Sequence, residues 1–502
     1  MGFTLFGHYF NVADAITLCC GLGFTLFGYD SAMFSGILTN DYFLAKFNNP
    51  GSTLQAHITA TFDLGCFFGA LFTLWVGNRR GRKTMIMIGC LIHTLGGVLQ
   101  CSAFSVEHLI VGRAVAGIGN GFITVTIPIW QSETCEAFIR GRLMAIQLSI
   151  VTGGGALASW INFAMRYVNS DASWRFVMAF QCVFALSCFS MVPFLPESPR
   201  WLVSKRRNEE AQKVIAQLLS LPIDDEKVVA EQVDIQIHVE HEEELQRTMK
   251  WRDLFKDDKL QGLKRILLGA GSQLFQQFGG INVILYYLAS VFQNSIGMSH
   301  TMALILSGVN SINLFLSACV SSLFVDTFGR KKMMFYGYFT QGICYTMVAV
   351  GLGIGTTNSS KLAVAFMFIY YTSFGLTNNV TAWVYPAEIG SQVHRTLVAG
   401  TATATNWISN YIVVLITPIG IANIGWRFYI IFAVFNFSFL PLIYFYYVET
   451  ARFTLEQIDE IFEEDYCRRK GIEYFPRSRI SDTTVEKDEP ETIEHEMVEK
   501  MV

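Results

Sequence analysis

Two charged residues stand where charge is expensive. Asp30 is the only charge in the apolar run from about Ala15 to Leu38, and Arg113 lies near the start of another such run. Ionisable residues inside membrane-spanning segments pair with one another and mark ion or proton pathways. A carboxylate that can meet a guanidinium can bind a proton and release its partner, so this pair offers proton-coupling chemistry. The alternative is a purely structural ion pair, and buried pairs are weak stabilisers. Asp63 and His93 also fall within apolar runs. Asp63 reads as a second proton-linked group or, preferred, a hydrogen-bond partner within its own half. His93 reads as a packed core histidine.

A second set of residues suits an uncharged polyhydroxy ligand, which needs groups that both donate and accept hydrogen bonds, together with aromatic faces. The stretch "QLFQQFGGINVILYY" supplies Gln276, Gln277 and Asn282, with Tyr286 and Tyr287 about a turn further on, and Gln273 on a similar face. "TNWISNY" supplies Asn406, Trp407 and Asn410; Trp383 and Gln147 come from two other runs. The bland alternative is interhelical glue, because buried amides hydrogen-bond between membrane helices. For Tyr286 and Trp407, gate or core packing is an equal reading.

The elements that must position these residues are membrane helices. Of 502 residues 52% are hydrophobic and only 16% charged, against roughly a quarter in soluble domains. The apolar residues fall into runs long enough to span a bilayer. Twelve spans are expected, at about 15–38, 57–77, 84–104, 107–129, 143–165, 174–195, 265–292, 300–325, 333–354, 362–386, 397–418 and 426–447. The first run has no small-residue cleavage site and reads as a span, not a signal peptide. The expected layout is a six-helix half (1–198), a cytoplasmic helical linker (199–262), a second six-helix half (263–448) and a partly disordered acidic tail (449–502). Small residues at spacings near four, as in "GCFFGALFTLWVG" and "GRAVAGIGNG", predict close helix packing. "GIGNGF" lies within a span with no strand before it, which excludes a nucleotide loop.

Basic residues cluster in alternate loops: Arg79, Arg80, Arg82 and Lys83; Arg140 and Arg142; Arg200, Lys205, Arg206 and Arg207; Arg330, Lys331 and Lys332. The positive-inside rule then puts both termini and the linker in the cytoplasm. Three of these signals recur at an offset of about 250 residues, as a duplicated pair of halves would require. "LWVGNRRGRK" matches "LFVDTFGRKK", "PIWQSETCEAFIR" matches "VYPAEIGSQVHR", and "PESPRWL" matches "VETARFTL". Glu133 precedes Arg140, and Glu388 precedes Arg395, by the same seven residues. Carboxylates and arginines at the helix ends of one half can bridge while that end is closed. Arg79, Arg82, Glu133, Arg140, Glu197, Arg200, Asp326, Arg330, Glu388 and Arg395 are therefore gating candidates. For Arg79 and Arg80, setting topology alone is an equal reading.

With these motifs assembled, the chain resembles the sugar porter family of the major facilitator superfamily, in the manner of its fungal members. "GNRRGRK", "GRAVAGIGNG", "PESPRWL", "QLFQQFGGINVILYY", "DTFGRK", "WVYPAEI" and "TNWISNY" carry the likeness in family order over about residues 15–460. Asn78 and Val448 depart from the family pattern, as does "LTNNVTAW" before Trp383. The resemblance implies an all-α twelve-helix fold in two pseudo-symmetric halves, transport by alternating access, and pairing of Asp30 with Arg113. It implies sugar contacts at Gln147, Gln276, Gln277, Asn282, Trp383 and Asn406. A span 8 contact falls at Asn310 or Asn313, with the family spacing nearer Asn313. Tyr286 and Tyr287 are implied gate residues. An Asp at position 30 favours proton symport over facilitated diffusion.

The expected function is thus a plasma-membrane proton–sugar symporter of a monosaccharide. Facilitated transport of a sugar or a glycerol-like polyol is the alternative, and a nutrient sensor on the same fold is a third. Nothing resembles a catalytic constellation, a cofactor motif or a nucleic-acid site, so an enzyme is not expected, nor a cofactor. The eleven cysteines are scattered, without metal-ligand or disulfide spacing. The expected partners are the substrate, a proton and the bilayer, with a monomer as the working unit. Asn358 heads a glycosylation triplet in a very short loop.

Overall fold

The structure is a computed structural model that describes residues 3–5, 8–135, 140–248, 261–391, 394–453 and 455–472. A short antiparallel hairpin, β1 (Phe3–Leu5) and β2 (His8–Phe10), precedes the helices. The first half comprises α1 (Val12–Ile37), the short α2 (Asp41–Lys46), α3 (Ser52–Arg80), α4 (Arg82–Cys101), α5 (Val106–Thr134), α6 (Arg140–Met165) and α7 (Ala172–Met191). Three helices follow outside the bundle: α8 (Pro199–Ser204), α9 (Asn208–Leu219) and α10 (Glu226–Thr248). The second half comprises α11 (Gly262–Phe278), α12 (Ile281–Ser290), α13 (His300–Phe328), α14 (Arg330–Ile354), α15 (Thr357–Leu376), α16 (Asn378–Ile389), α17 (Arg395–Ile424) and α18 (Arg427–Tyr446). A tail helix, α19 (Leu455–Lys470), closes the described chain; the expectation of disorder beyond it lies outside the described residues.

Nine helices among the described residues are long and apolar enough to cross a membrane. The other three crossings are α14 and two broken spans, α11–α12 and α15–α16. The sequence led us to expect each broken span as one helix. The first breaks at Gly279–Gly280, where Gly280 adopts φ +96° with the Tyr345 ring against its Cα. Backbone carbonyls freed inside a bilayer need partners. Gly279 O accepts from the Tyr370 hydroxyl (2.9 Å) and Asn436 Nδ2 (3.0 Å), and Gly280 O from the Tyr345 hydroxyl (2.6 Å). The second breaks at Thr377, and Leu376 O there accepts from Ser321 Oγ (2.9 Å).

Small residues let the helices touch, as expected. A Cβ on Gly65 would lie 2.4 Å from Ala114 O, and one on Gly117 2.1 Å from Phe62 O, so α3 and α5 pack backbone to backbone. The halves meet along α3–α17 and α6–α13, with α1 against α12. We call the end with the basic loops the basic end. At the far end one apolar core is shared by both halves, joining Tyr29, Phe34 and Trp174 to Tyr286, Phe292 and Tyr345. Toward the basic end it divides into one main cluster per half, around Trp130 and around Phe275.

Candidate functional site

Asp30 on α1 and Arg113 on α5 are fully buried, and Arg113 Nη1 donates to Asp30 Oδ1. The guanidinium also donates to Thr59 O on α3 (3.2 Å) and lies against the Phe34 and Phe62 rings, 4.5 and 4.4 Å from their centroids. His93 is less solitary than the sequence suggested. Its Nδ1 lies 3.1 Å from Ala116 O, and its Nε2 3.8 Å from Asp30 Oδ2. Three ionisable groups from three helices thus share one pocket, a convergence that no spacing within a single helix discloses.

In the second half the break after Phe278 brings the amides of α11 and α12 together with those of α17. Asn406 Nδ2 donates to Gln273 Oε1 (2.6 Å) and Gln276 Oε1 (3.2 Å). Gln277 Nε2 donates to Gln276 Oε1 (3.4 Å), and Asn282 Nδ2 donates to Gln277 Oε1 and to Asn410 Oδ1 (2.7 Å). Gln273 and Gln276 also donate to the carbonyls of Ala382 (2.9 Å) and Asn378 (3.1 Å) on α16. Gln276, Gln277, Asn282 and Asn406 therefore form one network, which recruits Gln273 and Asn410 as well. Their helical spacing to Gln277 and Asn406 was the available signal for these two. Such a network can exchange its internal hydrogen bonds for a ligand's hydroxyls without burying net charge.

The remaining candidates lie elsewhere. Gln147 is buried on α6, and no described protein group hydrogen-bonds its amide. Trp383 packs with Ala145 and Leu148 of the first half, beside Gln147 in the chain. Asn313 is tied into its own half: its Nδ2 donates to Phe368 O (3.0 Å) and Asn310 Oδ1 (3.2 Å), and its Oδ1 accepts from Thr372 (3.0 Å). Asn310 Nδ2 donates to Met367 O (3.4 Å). Tyr287 donates to Val414 O (3.0 Å), and Tyr286 to Asp63 of the first half (3.0 Å). Asp63 is thus bonded across the halves, contrary to the expectation of a partner within its own half. Trp407 packs edge-on against Phe27, centroids 5.3 Å apart.

The basic end carries the same bracket twice. Arg82 donates through Nε and Nη2 to Glu133 (2.9 and 2.8 Å), as Arg330 does to Glu388 (3.1 and 2.6 Å). Glu197 accepts from the backbone N–H groups of Arg82 (3.1 Å) and Lys83 (3.2 Å), as Glu449 does from those of Arg330 (2.7 Å) and Lys331 (3.2 Å). Each carboxylate sits at a helix N-terminus, where orphan N–H groups and the helix dipole favour an anion. Gly81 and Gly329 make the turns with φ +89° and +87°. The sequence singled out each Glu with the Arg seven residues on; among the described side chains Glu133 and Glu388 are bonded by Arg82 and Arg330. Arg79 lies over Trp75 (5.5 Å), and Arg200 lies in the first turn of α8. The side chains of Arg140, Asp326 and Arg395 lie outside the described residues.

A duplicated six-helix bundle with polar groups buried between its halves defines a secondary transporter of the major facilitator fold. The model of the family described as "Sugar (and other) transporter" matches residues 16–462, and the chain belongs to that family. It is similar to the MFS-type transporter oryC of Aspergillus oryzae, at 41% identity over 92% of this chain and 89% of that one. It is also similar to Sugar transporter STL1 of Saccharomyces cerevisiae, at 35% identity over 90% and 81%. Among solved structures, the inward-open xylose transporter XylE from E. coli shares the fold with TM-score 0.73 and 24% identity, over 89% of this chain and 99% of that one. The chain is a multi-pass membrane transporter and not an enzyme.

Proposed function

We propose that the protein is a proton-coupled sugar symporter of the plasma membrane working by alternating access, with its basic end and both termini on the cytoplasmic side. The observation that carries this is the buried Asp30–Arg113 pair. Ionised Asp30 holds Arg113. Protonation of Asp30 removes that hold and leaves Arg113 to Thr59 O and the two rings, so the helices it ties can shift. Release of the proton on the other side restores the pair. The sugar binds among Gln276, Gln277, Asn282 and Asn406, with Gln147 and Trp383 facing it from α6 and α16. A monosaccharide fits the family and the names of relatives such as the high-affinity glucose transporter of Kluyveromyces lactis, 27% identical. The two brackets at the basic end clamp α4 to α5 and α14 to α16, and so keep each half rigid as it moves.

The test is uptake of D-glucose, D-xylose and glycerol into vesicles reconstituted with the whole chain, with and without an inward proton gradient. Gradient-driven accumulation of a sugar is expected, and Asp30→Asn should abolish accumulation while leaving downhill exchange. Accumulation by Asp30→Asn equal to wild type would overturn the proton role. Uptake indifferent to the gradient would make the protein a facilitator.

A further inference from the structure

Asp63 is a fully buried carboxylate on α3 of the first half, and both its described hydrogen-bond donors come from the second half. Its Oδ1 accepts from the Tyr286 hydroxyl on α12 (3.0 Å) and from Asn410 Nδ2 on α17 (3.1 Å). Asn410 Oδ1 in turn accepts from Asn282 Nδ2 (2.7 Å), so the hydrogen-bonded amide network of one half ends on a carboxylate of the other. Oδ2 of Asp63 accepts from no described protein group. A carboxylate so placed is a poor device for stability alone, because a neutral amide could accept the same two bonds without burying charge.

The same turn of α3 also grips the ion pair. Thr59 O accepts from Arg113 Nη2 (3.2 Å), and the Phe62 ring lies 4.4 Å from the guanidinium. Thr59 and Asp63 are successive-turn neighbours on one helix face. The segment Thr59–Phe62–Asp63 therefore holds Arg113 on one side and is held by Tyr286 and Asn410 on the other.

We propose that Asp63 is the joint through which the second half's amide network and the first half's Asp30–Arg113 pair act on one another. The proposal rests on the assignment of those amides as the sugar site. Asp63 is a positioning residue: a ligand hydroxyl that takes over bonds of Asn282 or Gln277 changes the pull of Asn410 and Tyr286 on Asp63, and the α3 turn passes that change to Arg113. By linkage, changing the ion pair must alter ligand affinity through the same turn.

The test is a double-mutant cycle on D-glucose binding, with the full chain in lipid nanodiscs at one fixed pH. Asp30→Asn is expected to shift the D-glucose Kd about fivefold or more while Asp63 is present, and less than about twofold in an Asp63→Ala background. Tyr286→Phe removes one of the two donors and keeps the packed ring, so it should shrink the Asp30→Asn shift partway and serves if Asp63→Ala does not fold. Equal shifts in all backgrounds overturn the joint. If wild type binds no D-glucose, the sugar assignment for that probe fails on its own, and the joint is read without ligand. Ser35 Oγ accepts from Ala289 N (3.2 Å) where α1 meets α12 at the far end. Labelling of Ser35→Cys by a membrane-impermeant thiol reagent, followed at that peptide by mass spectrometry, should then quicken about fivefold with Asp63→Ala or Tyr286→Phe. Unchanged labelling overturns the joint.

Discussion

At the scale of single residues, the site depends on how closely α1 can approach α6. A Cβ on Gly28 would lie 1.7 Å from Val151 O, and Gly28 is two residues from Asp30. Gly28→Ala must push the helices apart and move the carboxylate with them, at a cost of about 1–3 kcal/mol. Gly155→Ala meets nothing nearer than 3.4 Å and should be neutral. Thermal unfolding of the detergent-solubilised chain should separate the two, with Gly28→Ala alone melting early. The amides sort in a similar way. Gln277→Ala should weaken sugar binding about tenfold, as loss of one or two hydrogen bonds predicts. Asn313→Ala should weaken it less, because Asn313 is engaged by α15; an equal loss in a direct binding measurement would return Asn313 to the proposed sugar site. Asp30, Arg113 and the amides were legible because polar residues stand out in apolar runs. The meetings of His93 with Asp30, and of Asp63 with Tyr286 and Asn410, were not. They depend on the rotation and tilt of helices far apart in sequence, about which no single helix carries information.

At the scale of elements, the repeated bracket was legible in outline because both copies use the same residue types in the same order. Its wiring was not, since Arg82 reaches Glu133 across 51 residues and Arg330 reaches Glu388 across 58. If the bracket is one unit, Arg82→Ala and Glu133→Ala will be non-additive, with a coupling of about 1–3 kcal/mol in a thermal-stability cycle; additive losses would show that each side chain acts alone. Glu197 gives this element a pH signature. Burial pushes its carboxyl above the ordinary 4.5, against the pull of the Ser198, Lys83 and Arg82 backbone N–H groups. The folded state then binds more protons than the unfolded one just above pH 4.5, so this group's contribution to stability falls as pH rises through that window. Glu197→Gln should flatten that part of the stability profile relative to wild type. The two broken spans escaped the sequence reading because a glycine pair, or a Thr-Asn junction, inside an apolar run reads equally well as close packing. What makes the breaks is Tyr345, Tyr370, Asn436 and Ser321, each from another helix.

At the scale of the whole molecule, the tail helix is wired to the spans that carry the amides. Arg265, fully buried at the start of α11, donates to Ile389 O at the end of α16 (2.9 Å) and to Asp459 of α19 (2.5 Å), with Phe462 of α19 against its guanidinium (4.1 Å). Lys264 pairs with Asp465 beside it (2.8 Å). Burial alone would raise the Asp465 carboxyl, but Lys264, Gln261 and Arg469 hold it below its ordinary 3.8, so its charge persists down to acid pH. The tail thus staples the basic ends of both broken spans, α11 and α16, the two that must hold their amides and carbonyls in register. The sequence showed an acidic tail but not its partner, because Arg265 reads like any other basic residue at a span end. Removing the carboxylate of Asp459 takes one charged partner from a buried guanidinium, and Asp459→Ala should cost about 1.5–3 kcal/mol. Lys264→Ala breaks a half-exposed pair and should cost less than about 1 kcal/mol. If the staple also serves transport, Asp459→Ala will lower the turnover of reconstituted chains beyond what its lower melting temperature explains at the assay temperature, and Lys264→Ala will not. Equal turnover in the two variants would make α19 a stability element that transport does not use.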